Sequence, residues 1–226
     1  MILSDLPYGE TANEWDSVID LDQMWNQYRQ LIRPRGVIAL TARCPFDKLL
    51  GMSNQGWLRY EWIWEKSRPT GFLNANRAPL KAQENVLIFY KELPLYVPQF
   101  TSGKPYVSTR RTYFDSNHGQ RIGGRILRNP GRRYPRSVLR IASEGKTFHS
   151  TQKPVALFEY LVRTYTRPED LVLDSCMGSG TTAIACLNSG RNFVGFELDK
   201  KYHRLAEARV RKRQAEIANI MSETHN

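Results

Sequence analysis

Two stretches of this chain hold residues whose types and spacing can do chemistry. The first is Asp5-Leu6-Pro7-Tyr8, which follows the apolar start Met1-Ile2-Leu3. A strand running into Asp, Pro and Tyr ends in a polar turn, and open α/β sheets bind ligands beyond the carboxyl ends of their strands. These residue types suit an exocyclic amine on a flat ring. The lone pair of such an amine is delocalised into the ring and is a poor nucleophile. A carboxylate and a backbone carbonyl accepting its two hydrogens favour a more pyramidal nitrogen and free the pair. A tyrosine can stack on the ring while proline stiffens the loop. Positioning and charge complementarity of this kind accelerate direct methyl transfer. Taken alone, the four residues also read as an ordinary strand-ending turn.

The second stretch is LVLDSCMGSGTTAIA, residues 171–185, with VGFELD following at 194–199. Asp174 ends an apolar run, Gly178 and Gly180 follow, and Thr181 and Thr182 open a helix. Glycines let a backbone approach a ligand, and the free amides of a helix start bind anionic groups. Glu197 ends the next apolar run, where a carboxylate can hold both hydroxyls of a ribose. Tight turns use glycine anyway; the pairing of the loop with Glu197 is what points to a nucleoside cofactor. The GxGxxG of a dinucleotide site and the lysine of a P-loop are both absent, which disfavours NAD and ATP.

The elements that must position these groups alternate strand and helix. Strands are expected at 1–4, 37–41, 57–66, 85–91, 171–174 and 192–197, and helices at 21–32, 45–52, 154–165, 181–188 and from 200 to about 217. Leu21, Met24, Trp25, Tyr28, Leu31 and Ile32 fall at helical spacing, and Pro154 suits a helix start. Trp62 and Trp64 read as core. This is an open α/β sheet of the doubly wound kind.

One segment interrupts it. From Thr101 to Lys146 the chain carries Lys104, Arg110, Arg111, Arg121, Arg125, Arg128, Arg132, Arg133, Arg136, Arg140 and Lys146 against Asp115 and Glu144 alone. It shows no helix or strand period and interleaves Tyr106, Tyr113, Phe114 and Tyr134. Arginines among aromatics suit phosphate contact and base stacking, although a solvated loop would have similar composition. The segment holds most of the formal net charge of +11 in 226 residues, which favours an anionic partner, most simply nucleic acid. No apolar run approaches the ~18 residues of a membrane span. Cys44, Cys176 and Cys186 are odd in number with no metal-type spacing, as expected of free thiols in a reducing cytoplasm.

With these motifs in view, the chain resembles the amino-directed DNA methyltransferases. DLPY is similar to their DPPY motif, HSTQKP at 149–154 to HPTQKP, and DSCMGSGTT to their Gly-rich cofactor motif. The motif order resembles that of the permuted β group of adenine-specific enzymes. The resemblance implies a Rossmann-like, circularly permuted fold with S-adenosylmethionine as methyl donor. It implies that Asp5 and the Leu6 carbonyl hold the 6-amino group of a flipped adenine, with Pro7 and Tyr8 completing the catalytic loop. It places Thr151, Gln152 and Lys153 at the cofactor's carboxylate, Asp174, Gly178, Gly180 and Thr181 at its methionine end, and Glu197 on its ribose. Residues 1–100 and 148–218 then form the catalytic and cofactor halves of one domain. Residues 101–147 form a basic target-recognition insert in which Arg110, Arg111, Arg132 and Arg133 meet double-stranded DNA, and 219–226 form a tail. The implied setting is bacterial or phage-encoded, with or without a partner restriction endonuclease.

The sequence departs from the family pattern in three places. Leu6 replaces a proline. Ser175-Cys176-Met177 replaces Pro-Phe-x, removing an aromatic beside the cofactor, and Cys176 fills that apolar space. Family members carry a Gly-Asp strand and a helix before the catalytic strand, whereas Met1 already lies within it. The expectation is a sheet short of one N-terminal strand and a cofactor pocket short of one wall. Two alternatives stand beside adenine methylation: transfer to the 4-amino group of cytosine, whose enzymes more often have Ser in place of this Asp, and an inactive relative that only binds DNA.

Overall fold

Three strands are apolar on both faces, and that decides the architecture. In β1 (Ile2–Asp5), Ile2 and Leu3 point to opposite sides, as do Ile38 and Ala39 in β2 (Ile38–Ala42) and Val86 and Leu87 in β4 (Lys81–Phe89). Strands of this composition are stable only with helices covering both faces. The computed structural model describes residues 1–9, 17–109, 113–115, 119–121, 126–145 and 152–223. The remaining elements of the main body are α1 (Leu21–Leu31), α2 (Phe46–Ser53), β3 (Leu58–Thr70), α3 (Val155–Tyr165), β12 (Leu171–Asp174), α4 (Thr181–Ser189), β13 (Asn192–Gly195) and α5 (Lys200–Glu223). Between β4 and α3 lie the short strands β5 (Thr101–Ser102), β6 (Tyr106–Thr109), β7 (Tyr113–Asp115), β8 (Gly119–Arg121), β9 (Ile126–Asn129), β10 (Arg132–Arg133) and β11 (Val138–Ile141).

The main sheet runs β11-β3-β4-β2-β1-β12-β13. β1 pairs in parallel with β2 on one side and β12 on the other, β12 pairs in parallel with β13, and β4 is antiparallel to both its neighbours. Met24, Trp25 and Tyr28 of α1, with Phe46 and Leu50 of α2, pack on the face that carries Ile2, Ile38 and Leu40. Leu157, Phe158, Leu161 and Val162 of α3, with Ala185 and Cys186 of α4, pack on the opposite face against Leu3, Ala39 and Val86. Local chemistry agrees with these boundaries. The Asp20 side chain caps α1 by accepting from the Gln23 amide at 3.0 Å, and Pro154 precedes the first residue of α3. Trp62 and Trp64 are core residues, as expected, with Trp62 Nε1 donating to Tyr165 OH at 2.6 Å and Trp64 Nε1 to the Ile141 carbonyl at 2.8 Å.

The expected open α/β sheet is therefore present, with three differences. The basic segment contains short strands, too brief for a sequence period to register. Its last strand, β11, belongs to the main sheet, pairing in parallel with β3 from Val138↔Ile63 to Ile141↔Lys66. The final helix continues to Glu223, through the first residues of the expected tail. By packing, the chain divides into one unit of Met1–Val97 with Ser137–Asn226 and a second of Pro98–Arg136. Within the second, β6 pairs with β9, β5 with β10 and β7 with β8, all antiparallel.

Leu161 is fully buried between α3 and the sheet, whereas Leu73 is wholly exposed after β3. Leu161→Ala is expected to lower unfolding free energy by roughly 2–5 kcal/mol. Leu73→Ala should stay within about 0.5 kcal/mol of the parent in the same urea titration.

Candidate active site

At the carboxyl ends of β1 and β12 the chain leaves the sheet in opposite directions. The route from β1 leads through α1 to β2, and the route from β12 leads through α4 to β13, with these helices on opposite faces. A crevice opens where the strand order reverses, the place where ligands bind in such sheets. Here it is a cavity of about 710 Å³ lined by Asp5, Leu6, Pro7 and Tyr8 from one loop and by Asp174 through Ser179 from the other.

Serines stitch the two loops together. The Ser175 amide donates to Ser4 Oγ at 2.9 Å, and Ser175 Oγ lies 2.6 Å from Tyr28 OH. Burial drives the Tyr28 hydroxyl up to about 12, so it remains neutral.

Asp5 is held from both sides. Its Oδ1 accepts from Thr41 Oγ1 at the end of β2 and from Tyr8 OH at 2.9 Å, and its Oδ2 accepts from Lys153 Nζ at 2.7 Å. The Tyr8 ring stacks on Phe46 at 5.4 Å between centroids and 26° between planes, with the Lys153 ammonium 5.3 Å from its centre. Burial and then the Asp5 charge push the Tyr8 hydroxyl well above the usual tyrosine range. Lys153 lines the cavity with its ammonium between Asp5 and Glu84 Oε2, the latter at 3.2 Å. Burial works against that charge, but Asp5, Tyr8 and Glu84 outweigh it and hold the lysine well above its ordinary range.

The other side of the cavity is a glycine cradle. Gly178 has φ +52°, and its amide donates to Glu197 Oε2 at 2.7 Å. Glu197 Oε1 accepts from the Asp199 amide at 2.9 Å, so the carboxylate is fixed at the end of β13 with lone pairs left over. Gly180 has φ +84°, and a Cβ there would come within 3.1 Å of the Ala206 Cβ. Gly180 gives α4 no side-chain cap, which leaves the first amides of that helix for a ligand. Thr181 is buried with its hydroxyl 3.4 Å from the Lys153 carbonyl, and Gln152 Oε1 accepts from Ser179 Oγ at 3.1 Å. Asp174 braces the loop from beneath, accepting from the Cys176 amide at 3.0 Å and from Thr182 Oγ1. Burial pushes its carboxyl up to about 6, against the pull of those hydrogen bonds.

The structure thus brings Asp5, Leu6, Pro7, Tyr8, Gln152, Lys153, Asp174, Gly178, Thr181 and Glu197 around one cavity, with Gly180 at the start of α4. Thr151, Arg110 and Arg111 lie outside the described residues. In the second unit, Arg133 is a strut. Its guanidinium donates to Asn129 Oδ1 at 3.1 Å and to the Lys104 carbonyl, and it lies 4.8 Å from the centre of the Tyr106 ring. Arg132 is exposed, stacked 3.9 Å over Phe100. Sequence reasoning missed Thr41, Ser4, Glu84 and Lys66, which carry no motif, and Phe196, which lines the cavity beside Glu197 and is 60% exposed.

A mixed sheet with a cofactor-type cradle beside a carboxylate loop is the Rossmann-like methyltransferase fold. Its main body is shared with M1.HpyAVI bound to SAM, at 26% identity and TM-score 0.60 over 92% of this chain and 87% of that one. PvuII DNA methyltransferase, cytosine-N4-specific, shows the same fold at 14% identity and TM-score 0.60, covering 91% of this chain and 77% of that one. Residues 1–208 match the N6_N4 methyltransferase model, described as DNA methylase, and the chain belongs to that family. Type II methyltransferase M1.MboII of Moraxella bovis is 35% identical over 70% of this chain, and M.BglII of Bacillus subtilis 33% over 70%. The chain spans 63% of the first relative's length and 42% of the second's.

The Asp174 brace has a measurable signature. A carboxyl that titrates near 3.8 ordinarily and near 6 when folded holds its proton more tightly in the folded state. It favours folding below about pH 4, and that contribution is lost as pH rises through about 6. Asp174→Asn removes the titration, so its stability relative to the parent should rise between pH 4 and 7 by on the order of 3 kcal/mol. Urea titrations of both proteins across that range check the sign.

Proposed function

We propose that this chain is an S-adenosylmethionine-dependent DNA methyltransferase acting on the 6-amino group of adenine within a specific DNA site. The observation that carries the reading is the meeting of the Asp5 loop and the glycine cradle in one cavity at the reversal of the strand order. S-adenosylmethionine, when bound, supplies a methyl group on a positively charged sulfur. The residues present suit it. The uncapped start of α4 favours its carboxylate, Glu197 is fixed with free lone pairs for the ribose hydroxyls, and Phe196 offers an apolar surface next to them.

On the acceptor side, the amine needs two hydrogen-bond acceptors and a flat partner for its ring. The Asp5 carboxylate takes one hydrogen and the Leu6 carbonyl the other, which localises the nitrogen lone pair for in-line attack. Bound S-adenosylmethionine would supply the methyl group to that nitrogen, with the C–S bonding pair left on its sulfur. The amine then gives up one proton through Asp5 to solvent. The Tyr8 hydroxyl occupies Asp5 Oδ1 in this structure, and it yields that acceptor as the base enters and its ring turns to stack on the base. Adenine is favoured by the aspartate of the loop. The base must leave the duplex to reach this cavity. The Arg-rich stretch 101–147 serves as the target-recognition region, with Arg132 displayed on Phe100 as a phosphate or base contact. Among the described residues no helix is long and apolar enough to cross a membrane. The type II names of the relatives favour a modification enzyme of a bacterial restriction system, with a restriction endonuclease as its counterpart.

Radiolabelled methyl transfer to unmethylated plasmid, followed by mass spectrometry of the nucleosides, is the test. The expected product is N6-methyladenine, with incorporation reduced roughly 100-fold or more in Asp5→Ala. N4-methylcytosine would move the acceptor to the alternative base. No incorporation by a folded, DNA-binding chain would overturn the enzyme reading.

A further inference from the structure

Four charged side chains form a line behind the catalytic loop. Lys66 Nζ on β3 lies 2.5 Å from Glu84 Oε1 on β4, Glu84 Oε2 lies 3.2 Å from Lys153 Nζ, and Lys153 Nζ lies 2.7 Å from Asp5 Oδ2. Their signs alternate and sum to zero. The side chains of Lys66, Glu84 and Lys153 are 7%, 9% and 5% exposed in contact with one another. Ion pairs this deep are costly to desolvate, and apolar residues of the same volume often stabilise a fold as well or better. Packing alone therefore does not account for the line.

Its end point does. Thr41 and Tyr8 hold one oxygen of Asp5, and among the described residues Lys153 holds the other. Lysine is a point charge on a flexible four-carbon stem, so its aim depends on what surrounds the ammonium. Glu84 Oε2 lies 3.2 Å from the Lys153 ammonium, so Glu84 steers Lys153 by its charge. Lys66 takes the other Glu84 oxygen. Without Lys66, Glu84 would carry an unbalanced charge and draw the ammonium off Asp5.

We propose that Lys66 and Glu84 are positioning residues for methyl transfer, which fix the orientation of the Asp5 carboxylate through Lys153. This rests on the methyltransferase reading given above. Neither residue is required to touch the cofactor or the base.

The test uses the whole chain with Glu84→Gln, Lys66→Met, Lys66→Arg and the paired Lys66→Met/Glu84→Gln, which keeps the cluster neutral if a single variant fails to fold. Single-turnover methyl transfer should fall roughly 10- to 100-fold in Glu84→Gln and Lys66→Met, with cofactor KM and DNA affinity within about twofold of the parent. Lys66→Arg, which keeps the charge, should recover most of the rate. In an Asp5→Asn background, Glu84→Gln should cost less than about twofold, because its effect passes through Asp5. Equal losses in both backgrounds, or parallel losses of rate and of cofactor affinity, would overturn the proposal. Should the parent chain transfer no methyl group, the enzyme reading falls, and the line of contacts is judged by NMR of the Lys153 ammonium. A 15N resonance that moves in both Asp5→Asn and Glu84→Gln supports it, and one that moves in neither overturns it.

Discussion

Crossover connections between parallel strands are right-handed, so the side on which the next strand lies decides which face its helix covers. From β1 the next parallel strand lies to one side, and from β12 it lies to the other. The helices that follow must therefore go to opposite faces, and a crevice opens beyond the two strand ends. The DLPY loop and the glycine loop hang over that gap because of chain direction alone. The serine stitch from Ser4 to Ser175, residues 171 positions apart, holds the two rims in register. Both faces of the sheet supply ordinary apolar packing, and the crevice is the place where polar groups concentrate.

The polar groups there divide into two electrostatic neighbourhoods. Around Asp5 a carboxylate, an ammonium, a second carboxylate and a second ammonium alternate in contact with one another. Lys66 and Lys153 hold Glu84 below the ordinary carboxylate range despite its burial. Around Asp174 burial prevails over the hydrogen bonds from Thr182 and Cys176 and pushes the carboxyl upward. Two aspartates at the ends of neighbouring strands thus have different company: Asp5 meets the Lys153 ammonium at the rim of the cavity, and buried Asp174 holds up the glycine loop.

Much of this was legible in the sequence, and the limits have physical causes. Leu171–Asp174 was placed to the residue because its apolar run ends at a turn, and α1 and α3 because their apolar residues recur at helical spacing. DLPY and the glycine loop were found because the chemistry needs those residues in consecutive order. Thr41, Glu84 and Lys66 were not, because what they do depends on register across β2, β4 and β3 and leaves no local pattern. Lys153 was legible from its motif, but its contacts with Asp5 and Glu84 were not, because they join residues far apart in the chain. The strands of the basic segment were hidden because two- to four-residue ladders are too short to show alternation. For β11, exposure of Val138 and Arg140 on the outermost strand weakens the apolar signal that marked the central ones. Arg133 shows the converse limit: composition cannot tell an arginine that braces its own loop from one offered to a partner.

The pairing of β1 with β12 also sets an order of events during synthesis. β1 can find β2 once Ile38–Ala42 has emerged, because the two strands are close in sequence. Its other neighbour comes from the last quarter of the chain, and contacts of such long sequence separation form slowly. Until then one edge of an apolar strand is without its ladder, the kind of surface that recruits other chains. The Asp5 loop is thus made long before the glycine cradle, and the crevice is complete only when Leu171–Asp174 has paired with β1.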